Sequence, residues 1–194
     1  MTSKRYASVF LIGLLHGGMT CLTGQSEELP CPPITVVASK DCLGFPDGWS
    51  WSVSVNASGN AALTVGSRIV TNFVVTREQI TTLSRALDAE NFFGLKDEYG
   101  ELVFDANTDV LTVVRGHQAK TVRIHSLHRW LESHDSALME PARAVRIFSI
   151  IRNWFGTPSL DGLPVTDDRP YLKRILDAAE KARPAQQAGG TLRR

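Results

Sequence analysis

A surplus of charge of either sign is missing from this sequence: 21 Lys and Arg face 20 Asp and Glu over 194 residues. Nucleic-acid binding rests on a basic excess that attracts the phosphate backbone, so a near-neutral chain argues against it. A membrane-crossing run is missing too. The apolar stretch at residues 6–15 has ten residues, where a helix needs about twenty to cross a hydrocarbon core. There is no Gly-x-Ser-x-Gly elbow, no Cys-x-x-Cys pair, no His-Glu-x-x-His helix and no glycine-rich phosphate loop outside the first 18 residues. Their absence removes the sequence signals of serine hydrolases, zinc proteases and nucleotide-binding loops. No internal repeat or heptad pattern occurs. What remains is the composition of a globular protein, 43% hydrophobic and 21% charged.

The N-terminus carries the clearest signal. Lys4 and Arg5 precede the short apolar run, and small and polar residues follow it, the layout of a secretory signal peptide. Gly24, Gln25 and Ser26 offer small residues where signal peptidase reads, so residues 1–26 are expected to be removed and the mature chain to start at Glu27. The expectation is an exported protein, periplasmic or extracellular. Cys21 opens an alternative, a lipid-anchored N-terminus, although Gly18, Met19 and Thr20 before it match a lipoprotein signal poorly. After cleavage the remaining thiols are Cys31 and Cys42. A pair in an oxidising compartment is most simply a structural disulfide; two free thiols or a metal pair are the alternatives.

Residues 27–33, with Pro30, Pro32 and Pro33, read as an extended linker. The 34–155 segment then reads as one α+β domain. Strands are expected at 34–38, at 49–55 where apolar and polar residues alternate strictly, at 61–65 and at 68–75. Thr76 to Gln79 has the form of a capping box, followed by Ile80, Leu83 and Leu87 at helical spacing. A hairpin is expected from 110–115 and 121–124, a helical turn at Leu127, Trp130 and Leu131, and a second main helix after Pro141. The fold class is an antiparallel sheet, meander plus hairpin, carrying two main helices. Residues 156–183 read as a linker and a short amphipathic helix, capped by Asp168 and separate from the core. Residues 184–194 read as a disordered tail.

Two groups of side chains carry candidate chemistry. Asp105, Asn107 and Asp109 alternate as the oxygen ligands that open a calcium loop do, but Val110 and Gly116 stand where that loop needs Gly and Glu; turn-forming hydrogen bonds are the plainer reading. His125 and His128 offer two zinc ligands, with His134 or Asp135 as a third. Strand alternation places His125 on the polar face with Thr121 and Arg123, so a solvent-facing histidine is the plainer reading there. No cofactor is expected, with calcium or zinc as the alternatives. Arg143, Arg146 and Arg152 read as solvated arginines opposite an apolar helix stripe. The tryptophans at 49, 51, 130 and 154 suit core or groove positions.

The block Asn91, Phe92, Phe93, Gly94, Leu95, Asp97 and Tyr99, continuing through Asp105 and Thr108 into the Val110 to Val113 strand, resembles the bacterial domain of unknown function 6438 family. The likeness spans roughly residues 34–155. It implies an exported or lipid-anchored α+β domain and brings no activity with it. In that family the turn after the first cysteine carries a second one before a proline. Phe45 stands there in this chain, and the resemblance leaves Cys31 as the substitute partner of Cys42. Phe92, Phe93, Leu95 and Tyr99 are expected to close the core between helix and hairpin, with Asp105 and Thr108 holding the loop. Taken together, the sequence suggests a non-enzymatic binding or interaction domain of the cell envelope. Its partner would be an envelope protein or a small ligand. The alternative is a metal-assisted hydrolase using His125, His128 and a nearby carboxylate. Nothing in the sequence sets the oligomeric state.

Overall fold

The computed structural model describes residues 32–42, 50–102, 106–131, 138–156, 159–160, 163–164 and 167–189. The signal segment, Cys31, Trp49, Asp105, His134 and Asp135 lie outside the described residues. The four strands β1 (Ile34–Cys42), β2 (Trp51–Val55), β3 (Asn60–Val65) and β4 (Arg68–Val74) form an antiparallel meander. Gly59 closes the β2–β3 turn with φ +81°, and a Cβ there would meet the Val75 carbonyl oxygen at 2.8 Å, so this turn requires glycine.

Helix α1 (Arg77–Ala89) starts where the capping box predicts. The Thr76 hydroxyl accepts from the Gln79 N–H at 3.2 Å, and Gln79 Oε1 accepts from the Thr76 N–H at 2.8 Å. A 3-10 turn at Phe92–Gly94 leads to the short β5 (Glu98–Tyr99), then to the hairpin β6 (Asn107–Arg115) and β7 (Gln118–His125). After α2 (Leu127–Trp130) come α3 (Met139–Arg152), β8 (Ser159–Leu160), β9 (Leu163–Pro164) and α4 (Arg169–Gly189). β6 returns to pair with β1, giving a seven-stranded sheet in the order β4-β3-β2-β1-β6-β7-β5, antiparallel except where β5 meets β7. The fold is α+β.

One sheet face holds the core. Val36, Ala38, Val53, Val55, Leu111 and Val113 meet Leu83 and Leu87 of α1, Val145 and Ile151 of α3, and Leu172 and Ile175 of α4. The other face carries Thr, Ser and exposed Val37, Val74 and Val114. Over it lies a hollow of about 600 Å³, bordered by Thr35, Ser54, Asn56 and Asn72 among others, with no charged side chain on its wall.

Three expectations need correction. The C-terminal helix belongs to the core, since Leu172 and Ile175 are buried in the same cluster as α3. Its backbone also runs past Pro184 to Gly189, into the expected tail. Phe92 is fully buried, whereas Phe93 is only half-buried, edge-on to Phe92 and beneath the Arg115 guanidinium at 5.0 Å. The expected Cys31–Cys42 disulfide rests on Cys31, which lies outside the described residues; Cys42 ends β1.

Candidate functional site

The residues singled out in the sequence divide into two groups with opposite character. The first sits where β5, β6 and β7 meet. Thr108 and His125 are register partners, so both side chains emerge on one face. His125 Nδ1 lies 3.0 Å from Thr108 Oγ1, and Nε2 lies 2.7 Å from Glu98 Oε1. A neutral imidazole protonated at Nε2 satisfies both contacts, donating to Glu98 and accepting from the Thr108 hydroxyl. His125 is thus buried rather than solvent-facing, because the β5 edge covers the end of β7. Neither ring nitrogen is free for a metal. His128 is exposed on α2, Asn107 is half-buried at the start of β6, and no group of three or more His, Cys, Asp or Glu able to hold a metal occurs among the described residues.

The family-like residues nearby hold the same corner. The Asp97 carbonyl accepts from the Arg123 N–H at 2.8 Å, and its carboxylate meets Lys120 Nζ at 2.5 Å. That ammonium draws the Asp97 carboxyl below its usual range. Tyr99 accepts from the Lys96 N–H at 3.0 Å; burial pushes its phenol up to about 12. Leu95 is buried.

The second group lies on the helix-covered face and is where the chemistry gathers. Lys40 of β1 is in register with Trp51 of β2 on one side and with Asp109 of β6 on the other. These three form a row across the sheet on the same strand phase as Val36, Ala38, Leu111 and Val113. Above the row stand Arg152 at the end of α3, Asp168 just before α4, and Tyr171 in the first turn of α4. Arg152 is fully buried, not solvated as its charge suggested. Its Nε–H donates to Asp168 Oδ1, and Nη1–H points to the Gly156 carbonyl at 3.3 Å. Its guanidinium lies 4.4 Å over the Phe155 ring and 5.6 Å over the Trp51 ring. Lys40 Nζ lies 4.8 Å over the Tyr171 ring. The expected capping role falls to the neighbouring residue, since Asp167 accepts the Arg169 N–H at 3.1 Å. The Arg169 side chain, bonded to the same carboxylate, holds Asp167 down to about 2.

Around this row several buried polar atoms have no hydrogen-bond partner among the described residues: Trp51 Nε1, both Asp109 oxygens, Asp168 Oδ2 and the Tyr171 hydroxyl. Burial pushes Asp109 up to about 7, opposed by Lys40 and reinforced by the Asp168 and Asp41 carboxylates. Burial, then Asp109 and Asp168, push the Tyr171 phenol well above its ordinary value. The site therefore pairs an acid that titrates near neutrality with an arginine-bound carboxylate, beside an indole N–H and a phenol that each lack a partner. The sequence pointed to Asp109 as a calcium ligand, Trp51 as a core or groove ring, Arg152 as a solvated charge and Asp168 as a helix cap, and it missed Lys40 and Tyr171. Strand phase could have placed Asp109 here, since it falls with Leu111 and Val113 where an apolar residue belongs. A scan of family models finds none that matches the chain, and a search of curated proteins finds no match either.

Proposed function

We propose that this chain is a non-enzymatic binding domain of the bacterial cell envelope, holding a small ligand between the Trp51–Lys40–Asp109 row and the α3–α4 junction. One observation carries the reading: Trp51, Asp109, Asp168 and Tyr171, linked through Lys40 and Arg152 by register and contact, each keep a buried polar atom with no hydrogen-bond partner among the described residues. Leaving a buried polar group unsatisfied costs about 1–3 kcal/mol, and most native structures keep few of them. Four residues bearing that cost in one place suggest a site whose bonds are completed by something bound. The export pattern of residues 1–26 supplies the envelope part of the proposal.

The hydrolase reading is the weaker one, because both nitrogens of His125 are engaged and His128 stands exposed on the following helix. The test uses the indole N–H resonance of Trp51 in the full chain, identified by its loss in Trp51→Phe. Small sugars, amino acids, carboxylates and amines are titrated in turn. A saturable shift of that resonance with any of them supports the proposal. No shift with any, together with stoichiometric zinc that is lost in His125→Ala, would replace it with the hydrolase.

A further inference from the structure

We infer that the ligand of this site is an uncharged sugar or polyol, gripped through a pair of adjacent hydroxyl groups; the inference rests on the binding role just proposed. The orphan atoms define what must be presented to them. Trp51 Nε1–H can only donate, so the ligand must bring an acceptor. Asp168, engaged with Arg152 through Oδ1, presents Oδ2 without a donor, so the ligand must also bring a proton.

A simple anion would meet the indole but face the Asp109 and Asp168 carboxyl groups. A simple cation would leave the indole N–H without an acceptor and would enter beside Lys40 and the buried Arg152. A divalent metal has no set of three ligands here among the described residues. An apolar group would leave every orphan as it is. A hydroxyl accepts and donates at a single oxygen. Two hydroxyls on adjacent carbons can accept from Trp51 and Tyr171 while donating to Asp109 and Asp168.

A carboxamide also carries both functions but fixes them at opposite ends of a rigid plane. Asp109 can switch between acceptor-only and donor-plus-acceptor, since its carboxyl titrates near neutral pH. A hydroxyl follows that switch by turning about its C–O bond. Water has the same versatility, and a hydroxyl pair displaces two waters while reproducing their bonds. Tyr171 and Lys40 are half-buried whereas Trp51, Asp109 and Asp168 are buried, so the first two lie on the more accessible side of the row.

The experiment follows the Trp51 indole resonance of the full chain against four probe classes: methyl glucoside and N-acetylglucosamine with glycerol as the minimal polyol, acetamide and glutamine, acetate and inorganic phosphate, and methylammonium. The expected result is a saturable shift with a hydroxyl probe. Its affinity should fall tenfold or more in Tyr171→Phe and in Asp109→Val, and no more than about threefold in Asp109→Asn, whose amide oxygen still accepts. A saturable shift only with a charged probe or a carboxamide overturns the ligand class and leaves the binding role standing. Silence with every class, including the sugars, overturns the binding role itself and shows that the site holds water alone.

Discussion

Thr108 and Asp109 are neighbours in one strand and meet opposite fates. Thr108 points to the face where β5 covers β7 and finds His125, which finds Glu98. Asp109 points to the helix-covered face and finds no partner for either oxygen. Both are buried. Successive side chains of a strand leave on opposite sides, so a single step along the chain separates a closed hydrogen-bond network from an open one. The closed network ties three strands together and needs nothing more. The open one leaves polar atoms without a partner among the described residues. Burial alone therefore does not distinguish the two; partners do.

The largest effect is expected where the open site holds the buried Arg152–Asp168 ion pair. Arg152→Ala removes the partner of Asp168 and leaves a buried carboxylate uncompensated, which should cost about 3–5 kcal/mol. Denaturant unfolding measures it. A loss below 1 kcal/mol would show that Asp168 is hydrated, and the contrast with the His125 corner would then disappear.

The second test uses pH. Asp109 is raised to about 7 in the folded chain from 3.8, so below pH 4 it is protonated both folded and unfolded and its contribution is fully present. As pH rises from 4 toward 7 the unfolded chain releases the proton first, and stability falls; above 7 the loss is complete. The gap is worth up to about 4 kcal/mol at 1.36 kcal/mol per unit. Carboxylates held low in the folded chain, such as Asp97 and Asp167, act with the opposite sign. The difference between wild type and Asp109→Asn isolates the Asp109 effect. That difference should move in favour of Asp109→Asn with rising pH. If it stays constant from pH 4 to 8, Asp109 is not the buried acid described.

In the closed network, Thr108→Val removes the hydroxyl that donates to His125 Nδ1 and keeps the shape of the side chain. The expected cost is about 1–3 kcal/mol, from an imidazole nitrogen left buried and unsatisfied. Adding Glu98→Gln tests whether the three groups act as one unit. A double variant whose loss equals the sum of the single losses would mean that the two bonds are independent.

Much of the fold was legible in the sequence because its elements announce themselves locally. The capping box at Thr76 and Gln79 starts α1, and the alternation through Trp51, Val53 and Val55 makes β2. The site was less legible because it is assembled from five elements spread along the chain, and because charge was read before phase. Asp105, Asn107 and Asp109 share the two-residue period of a calcium loop and of a strand, and β6 begins at Asn107, so for Asp109 the strand decides. Arg152 follows Val145 and Phe148 on the buried stripe of α3, yet its charge suggested solvent. His125 lies on the strand face that alternation assigns to polar residues, but alternation cannot show that β5 would cover it.

The smallest expected effect is the sharpest discriminator. Tyr171→Phe removes one hydroxyl that has no hydrogen-bond partner among the described residues and keeps the ring that lies against Lys40. In a closed network the same change would cost about 1 kcal/mol for a lost hydrogen bond. Here the ligand-free protein should keep its stability to within about 0.5 kcal/mol or gain slightly, because the change removes a desolvated polar atom and no contact. Tyr99→Phe is the matched control, since that hydroxyl accepts from the Lys96 N–H and its loss should be measurable. Thermal or denaturant unfolding of the two variants side by side reads the comparison directly. If Tyr171→Phe is the more destabilising, its hydroxyl has a partner and the open site is closed. If Tyr99→Phe alone is destabilising, the Tyr171 hydroxyl is held in the fold for what it binds rather than for what it stabilises, as activity kept at the expense of stability would require.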